Sequence, residues 1–160
     1  PGLGGPRGRH GLSAARGAVG AASALIHATL LARGGVTDAA ACAGGSVSAD
    51  NSTSANGTLC TENGLVATVF AYPSSAAALA ASTGPVTGNP GIVGAAGLTT
   101  VFHPSANNLS AEGYSVTVTS GVTSFSVLGA TNPANCQFTY TQPASANSAP
   151  TISAMVTTGC

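Results

Sequence analysis

The sequence predicts an α+β fold in which a long N-terminal α-helix packs on a four-stranded antiparallel β-sheet. Two observations predict it. Apolar residues recur at spacings of three and four between residues 12 and 33, which is the period of one helix face. In the C-terminal third, four β-rich runs follow one another with no helical pattern between them. Such a succession indicates neighbouring antiparallel strands.

Composition and charge limit the classes of function. The chain has 160 residues, enough for one domain. Only 5% of its residues are charged and none is lysine, against roughly 25% charged residues in an average globular domain. So few cations cannot form a basic surface, and no nucleic-acid partner is expected. An uncharged surface offers little repulsion against self-association, so it suits a protein that assembles.

The first predicted element is the helix. Residues 1–11 are rich in Gly, Pro and Arg and are expected to form a flexible or truncated start. The helix is predicted over residues 12–33, with Ser13 as its N-cap and Gly34 and Gly35 as its stop. Its packing face is expected to consist of the apolar residues of the repeat, Leu12, Ala15, Val19, Ala22, Ile26 and Leu30.

A long loop is predicted next, over residues 34–63, because this segment is rich in Ser, Thr, Asn, Ala and Gly. We expect a cysteine pair to hold it. Asn51, Asn56 and Asn108 match the N-glycosylation acceptor pattern. Such matches are common in an Asn- and Ser-rich chain, and we take from them only that these residues are exposed.

The sheet region is predicted over residues 64–160, which completes a single domain over residues 12–160. Its first strand is expected to end at Pro73. A short alanine-rich helix over 75–82 and a short strand over 98–102 follow. The predicted strands are 64–72, 98–102, 114–119, 123–128, 136–141 and 151–156, the last four being those of the sheet.

Four cysteines, Cys42, Cys60, Cys136 and Cys160, are expected to form disulfides. Three connectivities are open, and sequence alone does not choose among them. Local pairing would close two loops, each stabilising the fold by about 3 kcal/mol in the chain-entropy model. We favour Cys136 with Cys160, because a terminal residue frays unless something ties it down. No Cys-x-x-Cys motif supports zinc or redox use.

Disulfides indicate an oxidising compartment, hence an exported protein. The first residues, however, contain no apolar core of a signal peptide. No unbroken run of 18 apolar residues predicts a membrane span either. We therefore expect a processed or truncated form of a longer, exported chain.

Several segments together resemble the type IV pilins and their pseudopilin relatives. The likeness is strongest to pilins of the mannose-sensitive haemagglutinin type, and it covers most of the chain from Leu12 onward. The segments that carry it are Ala-Ala-Arg-Gly at 14–17, Ser-Ala-Leu-Ile-His-Ala at 23–28, Ala-Tyr-Pro-Ser at 71–74, Asn-Cys-Gln-Phe-Thr-Tyr-Thr at 135–141 and Thr-Thr-Gly-Cys at 157–160.

The resemblance implies a structural subunit of a surface filament that serves adhesion or motility. Its partners would be identical subunits, the pilus assembly machinery and a host or surface receptor, and it would need no cofactor. Its location would be an extracellular pilus built from a membrane-anchored precursor. The prepilin cleavage site and apolar anchor of that family are not present in this sequence, so polymerisation by this form is not implied.

No enzymatic activity is expected. No Gly-x-Ser-x-Gly motif follows a strand, and the acids Asp38, Asp50, Glu62 and Glu112 lie far apart in the sequence. His27, near the edge of the helix packing face, is interpreted as a boundary residue. No metal site is expected.

Two alternative functions remain open. One is a pseudopilin of a type II secretion system, although no acidic residue follows Glu112 to supply the calcium ligands that major pseudopilins often have. The other is a secreted carbohydrate-binding module, which would need exposed aromatic rings. The candidates for such a platform are Phe102, Tyr114, Phe125, Phe138 and Tyr140.

Overall fold

The computed structural model describes residues 5–75, 79–80, 82, 84–85 and 89–160. Its first element is α1, a helix of 29 residues at Gly5–Arg33. The predicted end is confirmed: Gly34 adopts a φ of 60° and its N–H donates to the Leu30 carbonyl over 3.0 Å, as glycine does at a helix C-terminus.

The predicted start of the helix is wrong. Residues 5–11 are helical rather than flexible, and Ser13 lies inside the helix instead of capping it. Pro6 falls in the first turn, where its missing N–H has no helical partner to lose. The Tyr114 hydroxyl donates to the Gly11 carbonyl over 3.1 Å, so tertiary contacts hold a segment that composition alone disfavours.

The predicted loop over residues 34–63 is also wrong at its C-terminal end, which is a strand. Strands β1 (Gly57–Thr61) and β2 (Gly64–Val69) form an antiparallel hairpin. A turn then leads to β3 (Tyr72–Pro73), which pairs with the end of β2. Pro73, expected to end the strand, is itself paired with Thr68. Its missing N–H is tolerated because β3 is an edge strand.

Two other predictions in the middle of the chain fail. Residues 79–80 were predicted to be helical, but β4 (Leu79–Ala80) pairs with β5 (Gly84–Pro85); residues 76–78 and 81 of that prediction lie outside the described residues. Residues 98–102 are irregular, with bends at 98–100 and 102, rather than a strand. Two short helices were not predicted, α2 (Ile92–Ala95) and α3 (Ala106–Ala111).

The four-stranded antiparallel sheet is confirmed. Its strands are β6 (Tyr114–Thr119), β7 (Val122–Val127), β8 (Gln137–Thr141) and β9 (Thr151–Ile152), and they lie in that order. A 3₁₀ turn at Pro133–Asn135 precedes β8. The last strand is shorter than the predicted 151–156, although Val156 still forms one bridge to Gln137.

Helix α1 packs against two separate cores. The first lies on the four-stranded sheet and consists of Leu12, Ala15, Val19, Ile92, Val93, Phe125, Val127, Cys136, Phe138 and Tyr140. The second lies on the three-stranded sheet and consists of Ile26, Leu30, Leu59, Val66 and Ala71. The N-terminal half of α1 therefore belongs to one core and its C-terminal half to the other.

Tyr140 connects the two sheets. Its hydroxyl donates to the Pro73 carbonyl over 2.6 Å, and both residues are buried. Burial raises the pKa of Tyr140 far above its usual value of 10.0, although a hydrogen bond with Ser23 acts in the opposite direction. The phenol therefore stays protonated and keeps donating throughout the physiological pH range.

We expect Tyr140→Phe to lower the free energy of unfolding by about 1–3 kcal/mol, because it leaves the buried Pro73 carbonyl without its donor. Urea denaturation followed by circular dichroism would measure the loss. Tyr72→Phe is the matched control, since no hydrogen bond of the Tyr72 hydroxyl is seen among the described residues. Equal losses in the two variants would contradict the role given to the Tyr140 hydroxyl.

Candidate interaction surfaces

The inner face of α1 contains the residues predicted from the sequence. Leu12, Ala15, Val19, Ile26 and Leu30 are buried, each at most 4% exposed, whereas Ala22 is only partly buried. Ser23 takes the buried place beside it, 4% exposed. A step of four residues from Val19 and of three to Ile26 places Ser23 closer to the centre of this face.

The opposite face of α1 is exposed and apolar, and we call it the outer stripe. Its members recur at alternating spacings of three and four and are Ala14, Gly17, Ala21, Ala24, Ala28 and Leu31. Leu31 is 59% exposed, and Leu25 beside the stripe is 68% exposed. The prediction from sequence missed this surface because alanine, which is abundant on both faces, does not distinguish them. The spacing of the six residues was the available signal.

The outer stripe carries no charge. The nearest cation, Arg16, turns toward the sheet and donates from Nε to the Ser153 carbonyl over 2.8 Å. Arg33, at the end of the helix, turns to Asp38 at 3.9 Å. Arg7 and Arg9 are exposed, but they precede the stripe.

By length and composition, α1 is apolar enough to cross a membrane, since an 18-residue window within Arg7–Arg33 has a mean hydropathy of 1.3. Core helices of soluble proteins and N-terminal signal sequences meet the same criterion. The expectation of no membrane span rested on an unbroken apolar run. The helix meets a criterion based on mean hydropathy, because its many alanines offset its few polar residues in the average.

Two grooves flank the outer stripe. One, of about 460 Å³, lies between α1 and the β1–β2 hairpin, with Leu25, Leu59 and Phe102 among its walls. The other, of about 520 Å³, borders Leu31 and the turn before β3. The stripe is thus the ridge of a larger surface with a depression on each side.

His27 lies in the second groove and packs on protein. Its ring stacks on Tyr72 with ring centroids 3.9 Å apart, and its Nδ1 lies 3.0 Å from the Ala71 carbonyl. His10 and His103 are exposed. Among the described residues, no group of three or more His, Cys, Asp or Glu side chains could hold a metal ion.

The two disulfides of the chain join Cys42 to Cys60 and Cys136 to Cys160, which is the local pairing. Such bonds favour an oxidising compartment. The first closes the segment after α1, where Asn51 is fully buried. Its side-chain amide donates to the Val36 carbonyl over 2.8 Å and to Asp38 Oδ1 over 2.7 Å.

The expectation that all three asparagines of the glycosylation pattern are exposed is therefore wrong for Asn51. Asn108 is half-buried, and its Oδ1 accepts from the N–H and the hydroxyl of Ser105 at the start of α3. Asn56 is exposed. The side chains of Asn51 and Asn108 form hydrogen bonds within the protein, which reduces their exposure, and the three-residue pattern does not reveal such bonds.

The C-terminal disulfide closes a clasp, by which we mean residues 132–136 and 156–160. Cys136 is fully buried. The Gly159 N–H donates to the Asn135 carbonyl over 2.8 Å, and the Asn132 N–H donates to the Gly159 carbonyl over 2.9 Å. These bonds tie the last residues of the chain to the segment before β8.

The aromatic residues considered for a carbohydrate platform are mostly internal. Phe125, Phe138 and Tyr140 are at most 1% exposed, and the two phenylalanine rings stack 4.8 Å apart. Tyr114 and Phe102 are half-buried against the cores. These five rings do not form an exposed platform.

Comparison with protein-family models, with curated proteins and with solved structures finds no match to this chain.

We expect Gly159→Ala to destabilise the clasp, because a Cβ atom there would clash with the Asn132 carbonyl oxygen. Crowding of this kind typically costs about 1–3 kcal/mol. Gly17→Ala is the control, since a Cβ there meets nothing within 4 Å. It should stabilise the chain slightly, because alanine is the better helix former. Thermal unfolding would show opposite shifts, and a Gly159→Ala variant as stable as the wild type would contradict the tight clasp.

Asp50 gives the segment between the first two cysteines a pH dependence. Burial acts to raise the pKa of Asp50, but hydrogen bonds from the N–H groups of Ser52 and Thr58 and from the Thr58 hydroxyl outweigh it and lower the pKa below 3.8. Because the pKa of Asp50 is lower in the folded protein than in the unfolded chain, the ionised carboxylate stabilises the fold at pH values above the unfolded-state pKa. That contribution is lost as the pH falls through the folded-state pKa.

Asp50→Asn should therefore reduce the difference in stability between neutral pH and about pH 3. Urea denaturation at the two pH values would measure it. Glu62→Gln, a change at an exposed carboxylate on the β1–β2 turn, should keep the wild-type difference. If Asp50→Asn also kept the full difference, the hydrogen bonds to Asp50 would not contribute as described.

Proposed function

We propose that this chain is the globular part of a non-enzymatic structural subunit, a pilin-like protein that assembles with identical copies into an extracellular surface filament. The observation that carries the proposal is the division of α1 into two apolar faces. One packs on the protein's own cores, and the other, the outer stripe, is exposed over most of the helix.

An exposed apolar stripe of this length is unfavourable in an isolated protein. Leu25 and Leu31 are more than half exposed, and fully burying one leucine side chain contributes about 1.5–3 kcal/mol. Contiguous exposed apolar surface typically marks a site of association. This supports a role in which the stripe is covered in the functional assembly.

The spacing of the stripe favours another helix as the group that covers it. Alternating steps of three and four residues are the repeat along which helices pack side by side. Alanine and glycine at those positions let two helix backbones approach closely. A helix of a second copy, which presents the same uncharged stripe, satisfies these requirements without burying a charge.

A lipid bilayer suits the stripe less well while the protein is folded. Leu12 and Leu30, near the two ends of the inner face, are both fully buried against protein. A helix packed on its own sheets along that length cannot also cross a membrane, because the sheets would have to enter the hydrocarbon with it. The near absence of charge elsewhere is consistent with assembly rather than with electrostatic recognition.

We expect Ala24→Arg, in the middle of the outer stripe, to abolish filament formation in the cell that encodes the chain, because assembly would bury an unpaired guanidinium. Ala39→Arg is the matched control, because Ala39 is also exposed but lies outside α1, and it should leave assembly intact. Negative-stain electron microscopy and the amount of subunit in sheared surface fractions give the readout.

Circular dichroism of the two purified variants should show that both fold. The proposal fails if cells carrying Ala24→Arg make wild-type filaments, or if the wild-type chain is found only as free monomer outside the cell.

A further inference from the structure

Strand β6 forms an edge of the four-stranded sheet. It pairs with β7, and in the described chain no strand lies on its other side. The β6–β7 turn has two residues, Ser120 and Gly121, with φ values of 45° and 80°. This is the tight hairpin geometry in which the flanking residues, here Thr119 and Val122, form a hydrogen-bonded pair.

The turn determines which residues of β6 direct their backbone N–H and C=O groups toward β7 and which direct them away from the sheet. Hydrogen-bonded and non-hydrogen-bonded pairs alternate along an antiparallel ladder, so Ser115, Thr117 and Thr119 direct their backbone groups toward β7. The Leu128 N–H donates to the Gly113 carbonyl over 2.9 Å, which continues the same alternation. Tyr114, Val116 and Val118 must therefore direct their N–H and C=O groups away from the sheet.

Among the described residues, no further strand pairs with these outward groups, although helix α3 contacts β6. Within the described residues, no hydrogen bond outside the strand ladder reaches the backbone of Tyr114, Val116 or Val118. Proteins usually guard such an edge with lysine, proline, a bulge or an inward-pointing charge. The six residues of β6, Tyr-Ser-Val-Thr-Val-Thr, include none of these residue types, and the strand is regularly paired throughout.

The side chains of β6 leave the first core incomplete along the same edge. Tyr114, Val116 and Val118 pack against that core but stay half-buried. Thr117 and Thr119, on the other face of the strand, are exposed. A strand added at this edge would therefore pair the backbone and also cover three apolar side chains.

We propose that β6 pairs in antiparallel orientation with β6 of a second copy, about a twofold axis at Val116. Val116 then lies opposite its own counterpart, and Tyr114 lies opposite Val118 of the other copy. All three outward backbone positions would form hydrogen-bonded pairs, and two four-stranded sheets would become one sheet of eight strands. This contact uses neither face of α1, so it is independent of the proposed filament.

A second copy fits this edge because the strand is self-complementary about Val116. Apolar residues meet apolar residues on the core side, and Ser115 meets Thr117 of the other copy on the open side. Glu112, the nearest acid in the sequence, lies opposite position 120 and not opposite itself. With a formal net charge of +0, two copies have little long-range repulsion to overcome.

Two double variants test the register. Ser115→Glu with Thr117→Glu places like charges opposite one another across the twofold axis, whereas Ser115→Lys with Thr117→Glu places opposite charges there. We expect the wild-type chain, with its disulfides intact, to form a dimer in sedimentation velocity experiments. The dissociation constant of the like-charge variant should exceed that of the opposite-charge variant by about tenfold or more.

Amide hydrogen exchange on the wild-type chain provides a readout that needs no variant. As concentration rises, the N–H groups of Val116 and Val118 should become protected, while those of Ser115 and Thr117, already bonded to β7, should change little. The Ala24→Arg variant should dimerise like the wild type, which separates this contact from association through α1. A wild-type monomer at all concentrations, equal weakening by both double variants, or association of the Ala24→Arg variant beyond a dimer would overturn the proposal.

Discussion

The constraint on which the structure depends is that one helix completes two cores. Leu12, Ala15 and Val19 pack on the four-stranded sheet, and Ile26 and Leu30 pack on the three-stranded sheet. Neither core is large, and aromatic residues make up only 4% of the chain. Each sheet buries its apolar face mainly against α1, so the relative position of the two sheets follows from the rigidity of the helix. The Tyr140 hydroxyl, bonded to the Pro73 carbonyl, adds a direct connection beside it.

The sequence was sufficient where a periodic pattern coincided with burial. The inner face of α1 and the four strands of the C-terminal sheet follow from spacing and from β-branched residues, and Gly34 marks the end of the helix because only a residue that tolerates a positive φ continues there. The sequence was insufficient where tertiary contacts determine the local structure. Residues 5–11 are helical despite their glycine and proline content, held by contacts such as that of Tyr114.

The interaction surfaces were harder to predict for a related reason. Strand β1 is only five residues long and begins with glycine, so its identity depends on pairing with β2 rather than on its own pattern. The outer stripe consists mostly of alanine, which is as common inside this protein as outside. The open edge of β6 cannot be recognised before the order of the strands is known, because a central strand and an edge strand can have the same sequence.

Two uncharged surfaces of different kinds thus remain on the folded chain, a helical face and a strand edge. The first would be covered by side-chain packing of another helix, the second by backbone pairing of another strand. Low charge leaves both open to association.

The most direct test of the central claim is native-state amide hydrogen exchange of the isolated chain across a series of low denaturant concentrations. If α1 completes both cores, its amides between Leu12 and Leu30 should open only with those of β7 and β8, at the free energy of global unfolding. If the helix instead exchanged at a much lower free energy while the sheets stayed protected, the sheets would not depend on it, and the account would be wrong.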